Sequence, residues 1–428
     1  MRYKIMSWVG FSWLDYRGKN QDRKFSFWFF RRLSYTLSVY PHFLLMQISL
    51  RSPSDFHTHL RWYNGPLTGP ASEKPSAILE AVCKLQSPFA QVLAMPNLLP
   101  RHIETAEEVD LYNEKLKQLL PEGTTPILTI SLKPTTTPEI IRACQWKIWA
   151  VKYYPGGVTT NSGSATGDID PDDGTTKSVF EAMIECKIAL SLHPETTVSK
   201  NAFGQITKWF VHRAEREFRS LAERIASTYP ELTVIIEHIS TREMAELVMS
   251  EKYPNLYGTI TPQHLLLTAH DKEGSHAFDP HLHCKPTLKD PEDLISIQKL
   301  VYSGCEKVFF GSDSAPHPQS AKECAHCASG VFSSPIAIQI ITDWWMSEVT
   351  GKWWKSETGE EVSNDQKIQR IQRFFADNGE KVYGKPKTEK IVTLEDTPFT
   401  IPEKYTTSLS DMDIVPMWAG KEVGWRII

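Results

Sequence analysis

From Met46 onward the chain alternates between short apolar runs rich in Val, Ile, Thr and aromatics and longer segments whose apolar residues recur every three or four positions. Eight runs of the first kind stand out: MQISLRSPSDFHTH, AQVLAMPN, TPILTISLK, IWAVKYYP, IALSLHPE, LTVIIEHIS, LYGTITP and KVFFGSDS. Between several of them lie helix-like stretches, KPSAILEAVCKLQ, AEEVDLYNEKLKQLL, TPEIIRACQ, TKSVFEAMIECK and FRSLAERIASTY, with Pro, Ser, Thr or Asp close to several starts. Eight β units alternating with helices predict an α/β fold, a parallel (β/α)8 barrel of TIM type, over an open sheet. No G-x-G-x-x-G follows the first run, which weakens a dinucleotide-binding alternative.

Chemically capable residues fall at the ends of these runs. His57 and His59 end the first, in DFHTHLR, and side chains two apart on a strand point the same way, so one cation can take both rings. A His-x-His pair alone is a weak signal, and the chain has a second in PHLHC (His281, His283), which reads as a structural pair behind the site. The stronger observation is shared position. Asn97 ends the second run, Lys152 the fourth, His193 the fifth, His238 the sixth and Asp313 the eighth. In such a barrel, strand ends of one polarity meet at a single mouth. Histidine and carboxylate donors with open positions favour zinc or a similar divalent metal. His57, His59 and Asp313 suit one ion and His193 with His238 a second, with Asp313 also able to accept a proton. His102 and His212 read as surface residues.

Lys152 sits oddly in this set, because an ammonium has no lone pair and is repelled by dications. Either it faces solvent or a substrate carboxylate, or it is modified to an anion that bridges both metals; its residue type leaves both open.

Charge is uneven. Residues 1–45 hold eight Lys/Arg against two Asp/Glu, a net of +6 in a chain whose total is −4. This N-terminal extension is crowded with aromatics and reads as a disordered tail, a targeting segment or a mis-assigned start, leaving 46–428 as the catalytic barrel with its C-terminal tail. The modest overall charge gives no indication of nucleic-acid or membrane-surface partners, and no run approaches a spanning length. Seven scattered cysteines read as reduced thiols of an intracellular, cytoplasmic protein, with the lone Cys324-x-x-Cys327 as ordinary loop thiols.

The ordered set DFHTHLR, MPNL, KYYPGGVTTNS, LHPE, EHIS, TPQHL and GSDSAPH, with the closing DIVPMWAGKEVGW, resembles the dihydroorotase family of the amidohydrolase superfamily, of the monofunctional dimeric type found in many bacteria and in fungi. The resemblance runs from about residue 47 to the C-terminus. It implies that Lys152 is carboxylated to a carbamate bridging two zinc ions. His57, His59, Lys152 and Asp313 then hold the more buried ion, Lys152, His193 and His238 the other, and a hydroxide bridges both. It implies reversible interconversion of N-carbamoyl-aspartate and dihydroorotate, a small-molecule substrate, in the third step of pyrimidine synthesis, by a homodimer. Arg61, Asn97 and His317 would bind the substrate carboxylate, backbone groups near Leu265 and Ser329 the ring amide, and Thr159 and Thr160 would close as part of a mobile lid. Asp313 would act as general base and then acid.

Pro194 stands where bacterial relatives often have glycine, Pro318 follows His317, and His326 is unusual; none of these departures removes a ligand. Two rival readings remain: another cyclic-amide hydrolase of dihydropyrimidinase or hydantoinase type, against which Arg61 and Asn97 speak, and an inactive scaffold homologue, against which the complete ligand set speaks.

Overall fold

The computed structural model describes residues 45–61, 76–98, 101–157, 169–197, 199–200, 206–207, 211–273, 278–409 and 412–428. The N-terminal extension therefore lies outside the described residues, as does the Thr159–Thr160 segment.

Each of the eight β-rich runs contains a barrel strand, but the first also contains a break. Gln47–Arg51 (β1) and Ser54–Thr58 (β2) are separate strands. Pro53 between them lacks the N–H a continuous ladder would need. β2 enters the barrel, followed by β3 (Gln91–Ala94), β4 (Thr125–Ser131), β5 (Ile148–Tyr153) and β6 (Ala189–Leu192). A short hairpin of β7 (Ser199–Lys200) and β8 (Ile206–Thr207) stands apart, and β9 (Val234–Ile236), β10 (Leu256–Ile260) and β11 (Val308–Phe310) complete the sheet. The order is β2-β3-β4-β5-β6-β9-β10-β11, with every pairing parallel. The first and last strands meet beyond their ends: Asp313 N donates to His57 O at 2.8 Å and His59 N to Ser314 O at 3.0 Å. The predicted barrel is thus present and closed. β1 instead pairs antiparallel with β12 (Ile391–Glu395), which pairs with the C-terminal Arg426–Ile427 strand in a small second sheet.

The crossover helices start where the sequence supplies caps. α1 (Ala77–Lys84) begins after Ser76, whose hydroxyl accepts from Leu79 N, and α2 (Ala106–Leu119) after Thr105, which forms a reciprocal capping box with Glu108. α3 (Pro138–Ala143) has Thr137 as its cap and Pro138 in the first turn, and α4 (Gly174–Cys186) is capped by Asp173. α5 (Ala214–Thr228), α6 (Arg242–Met249) and the short α7 (Pro262–Leu266) follow.

Inside the barrel, Phe56, Leu93, Met95, Ala150, Ala189, Ile235 and Phe309 pack with Tyr383 in a cluster distinct from the outer sheet–helix core. Because side chains alternate, the lumen face that buries these residues continues toward the C-terminal ends. Asn97 follows Met95 by two, Lys152 follows Ala150 by two, and Glu237 follows Ile235 by two. His193 follows Ala189 by four and Asp313 follows Phe309 by four. The apolar plug and the polar mouth are one face read at two depths. β2 departs from this parity: Asp55 pairs with Val92 and Thr58 with Ala94, so three steps on β2 oppose two on β3. Such a bulge re-aims side chains, and it lets Phe56 plug the lumen while His57 and His59 still reach the mouth.

Candidate active site

Six predicted ligands converge at that mouth. His57 Nε2 lies 3.3 Å and His59 Nε2 3.0 Å from Asp313 Oδ1, and the donor atoms of the three lie within 4.8 Å of one another. The His238 ring stands 5.3 Å from His57 and 4.7 Å from His193, centroid to centroid. Lys152 is fully buried, 5.5 Å from the Tyr154 ring. Two of these predicted ligands hold left-handed backbone that only the closed structure supports: His238 at φ 41° and Asp313 at φ 45°.

Three of the four rings are turned by a partner on the other nitrogen. His57 Nδ1 donates to Glu237 Oε2 at 2.7 Å, His59 Nδ1 to Asn97 Oδ1 at 2.8 Å, and His193 Nε2 to Glu195 Oε2 at 2.7 Å. This fixes which nitrogen presents its lone pair to the cleft. Glu237 also accepts from Thr259 Oγ1 at 2.6 Å and from Ser191 Oγ.

The electrostatics follow from burial and these partners. Burial opposes ionisation of Glu237, but the charges of His57 and Lys152 and its hydrogen bonds outweigh it and hold the carboxyl at about 2. Asp313 is likewise pulled well below the usual carboxylate range, burial being outweighed by hydrogen bonds from His57 and His59. Burial, then the Arg61 charge, push His59 down to about 3. Burial lowers His193 against Glu195, and burial with His193 lowers His238 far. Against its own burial, His57 is raised by the Glu237 charge. The mouth is therefore a set of mostly neutral imidazoles around an ionised aspartate, which is the state metal binding requires.

Two buried atoms make this a fitting metal cradle. Lys152 Nζ and His238 Nδ1 have no hydrogen-bond partner among the described residues. Unpaired buried polar atoms are costly and call for an explanation. A cation taken by His238, and conversion of the Lys152 amine to an anionic ligand, would satisfy both. Burial pushes the Lys152 ammonium down to about 8, opposed by Glu237 and Asp313, so the amine is more available for such chemistry than an ordinary lysine.

The remaining predicted residues divide. His57, His59, Arg61, Asn97, His193, His238, Asp313 and Ser329 line one cleft with about 360 Å³ of empty space, together with Tyr154, Lys285, Ala315 and Gly330. Arg61 is only 3% exposed, its Nη1 2.9 Å from His317 Nε2. That ring nitrogen is also 3.0 Å from the Ser329 carbonyl, so it accepts from Arg61 or donates to Ser329, not both. Leu265 does not line the cleft: it is buried in α7, its N–H bonded to Thr261 O and its carbonyl to Gln298 Nε2. His281 and His283 hold neighbouring loops, through Glu323 at 2.9 Å and Ser329 Oγ at 3.0 Å. His102, read as a surface residue, is buried against Ser131 Oγ at 2.5 Å. Sequence reasoning gave no role to Glu195, Glu237, Tyr154 or Lys285. The first two were visible as carboxylates beside the histidines of LHPE and EHIS.

The closed parallel barrel and this donor set define a hydrolase barrel of the amidohydrolase kind. No protein-family model matches the chain. A curated dihydroorotase from Acinetobacter baylyi is 31% identical over 386 residues, covering 89% of this chain and 98% of that protein. At that identity and coverage the chain belongs to the dihydroorotase family, hydrolases acting on cyclic amide C–N bonds. Among solved structures, dihydroorotase from Saccharomyces cerevisiae, in complex with 5-fluoroorotic acid, aligns with TM-score 0.73 at 27% identity over 89% of this chain and 98% of that one. An L-hydantoinase from Arthrobacter aurescens aligns at TM-score 0.66 over 89% of this chain and 82% of that one, but at 15% identity it shares the fold alone.

Proposed function

We propose that this chain catalyses the reversible cyclisation of N-carbamoyl-L-aspartate to (S)-dihydroorotate and water, the third step of UMP synthesis. The observation that carries the reading is the buried Arg61 guanidinium, placed beside His317 and in the same cleft as the histidine–aspartate cluster. A buried guanidinium fork beside a hydrolytic centre fits a cyclic amide substrate that carries a carboxylate elsewhere on its ring. Arg61, His317 and the amide of Asn97 would take that carboxylate, Asn97 keeping its oxygen on His59.

His57, His59, Asp313 and a Lys152 carbamate would hold one zinc ion, and His193, His238 and the same carbamate a second. Bound there, two such cations supply Lewis-acid polarisation of the amide carbonyl and a water acidic enough to attack near neutral pH. Asp313 accepts the proton of the attacking water and returns it to the leaving nitrogen. Despite burial, its carboxylate is ionised, held below the usual range by the His57 and His59 hydrogen bonds. Backbone groups near Ser329 and Leu265 would steady the ring amide, for Leu265 on the support of the sequence alone. Thr159 and Thr160 would close over the substrate and exclude water. We also infer a cytoplasmic homodimer, from the resemblance and from seven free thiols. Among the described residues no helix is long and apolar enough to cross a membrane.

The test is turnover of dihydroorotate against uncharged dihydrouracil by the purified protein, with metal analysis. Dihydroorotate should be preferred by at least about a hundredfold, the scale of a lost buried charge pair. Preference for dihydrouracil would move the chain to the dihydropyrimidinase reading, and less than one equivalent of zinc with no turnover to the scaffold reading.

A further inference from the structure

One cation in the cleft has no role in the reaction as drawn. Lys285 is part-buried and lines the cleft with Ser329 and Gly330. Its segment is pinned there. The His283 carbonyl accepts from Gly330 N at 2.8 Å and from Lys322 Nζ at 3.0 Å, while Ser329 Oγ meets His283 Nε2 at 3.0 Å. The buried Lys322 ammonium also binds the carbonyls of Ala328 and Gly330, each at 2.7 Å, so this wall is rigid. Burial lowers the Lys285 pKa, and the Glu195 carboxylate opposes that.

Resting on the function proposed above, the geometry points to what this wall meets. The ring carboxylate occupies Arg61, His317 and Asn97, and the reacting carbonyl carbon must sit over the histidine–aspartate cluster. With the ring N–H groups taken by backbone near Ser329 and Leu265, the ureido carbonyl remains, and of the polar lining residues Lys285 and Tyr154 have no other role in the reaction. We propose that the Lys285 ammonium donates a hydrogen bond to the ureido carbonyl oxygen and stabilises the negative charge that gathers there during C–N cleavage. Hydrolysis bonds the water oxygen to the reacting carbon and breaks that carbon's bond to the nitrogen between the two carbonyls. The bonding pair stays on that nitrogen, conjugated with the ureido carbonyl, until Asp313 delivers the proton. In the cyclisation direction the same charge appears as the ureido nitrogen gives up its proton to attack. Lys285 transfers no proton; it acts as a fixed donor aimed where charge develops.

The experiment compares dihydroorotate with its 2-thio analogue as substrates for metal-loaded wild type, Lys285→Met and Lys285→Arg. Sulfur spreads the developing charge better and accepts a hydrogen bond poorly, so the thio substrate needs the ammonium less. Lys285→Met should lower kcat on dihydroorotate about a hundredfold but on the thio analogue less than about tenfold, with zinc content unchanged and Lys285→Arg restoring most of the loss. The ratio of the two substrates within one variant is independent of how much of that variant is folded. A kcat within about twofold of wild type, or equal losses on both substrates, would overturn the proposal. Failure of the wild type to turn over dihydroorotate would instead overturn the function on which it rests, and the role of Lys285 with it.

Discussion

Glu237 Oε2 and His57 Nδ1 lie 2.7 Å apart although the residues are 180 positions apart in the chain. The carboxylate leaves the ring's Nε2 facing Asp313, and it draws on hydroxyls from two further strands, Ser191 at the β6 end and Thr259 in β10. One buried anion thus ties three strands to one ring of the candidate metal cradle. Glu237→Gln keeps the shape and a hydrogen-bond acceptor but loses the charge. Zinc affinity, read by competition with a chelator, should fall roughly 10- to 100-fold with the fold retained by circular dichroism. Unchanged affinity would show that His57 is oriented by the barrel alone.

Lys152 gives a pH signature. Only the neutral amine can attack carbon dioxide. With its pKa pushed to about 8, its neutral fraction grows about tenfold per pH unit below 8 and saturates above. Reactivation of metal-depleted protein by zinc, at a dissolved carbon dioxide concentration held constant across the series, should therefore quicken about tenfold from pH 6 to pH 7 and level off above pH 8. Lys152→Ala should be inactive and partly rescued by short carboxylic acids standing in for the carbamate. Reactivation still accelerating at pH 10, as for an exposed lysine, would remove the basis for this step.

Asp313 holds a left-handed backbone, φ 45°, which asparagine tolerates better than other substitutes. Asp313→Asn should keep the fold and most of the zinc while kcat drops by about a thousandfold, within the usual range for a lost general base. Near-normal turnover in that variant would reassign the proton transfer.

Arg61→Met should raise KM for dihydroorotate by more than about tenfold, through loss of the charged fork. Melting should move little, because the guanidinium Nε has no hydrogen-bond partner among the described residues and its contacts lie at the mouth, outside the apolar core. A normal KM would take Arg61 out of the carboxylate pocket.

The barrel was legible because its strands are short, apolar and β-branched, and because their ends carry polar residues in phase with the lumen. Asn97, Lys152, His193 and Asp313 all continue a face that begins with Met95, Ala150, Ala189 and Phe309. What the residues could not announce was anything set by distance between strands. Glu237 reads as an ordinary carboxylate until closure brings it to His57, whereas Glu195 meets His193 within one strand-end turn. The β2 bulge has no local marker, and without it His57 and Phe56 would face opposite sides. His102 read as a surface residue because an isolated polar side chain carries no periodic signal. Its burial depends on Ser131 and the edge of Tyr154, both from other strands.

Asp55 sits beneath the ligands and joins the first barrel strand to the last. It accepts from Ser312 N at 2.8 Å, Ser312 Oγ at 2.6 Å and His57 N at 3.2 Å. Burial nevertheless wins over these bonds and pushes its pKa up from 3.8 to about 6. The folded state therefore holds the Asp55 proton more tightly than the unfolded chain does. The stabilisation from that proton is complete below about pH 4 and is lost as pH rises through 6. Asp55→Asn, neutral at every pH, lacks this dependence. Denaturant unfolding of the two metal-depleted proteins should show wild type losing about 2 kcal/mol relative to Asp55→Asn between pH 4 and pH 7. A difference that is flat across this window, or that favours wild type as pH rises, would mean that the three hydrogen bonds outweigh desolvation and that Asp55 closes the barrel as a stable anion.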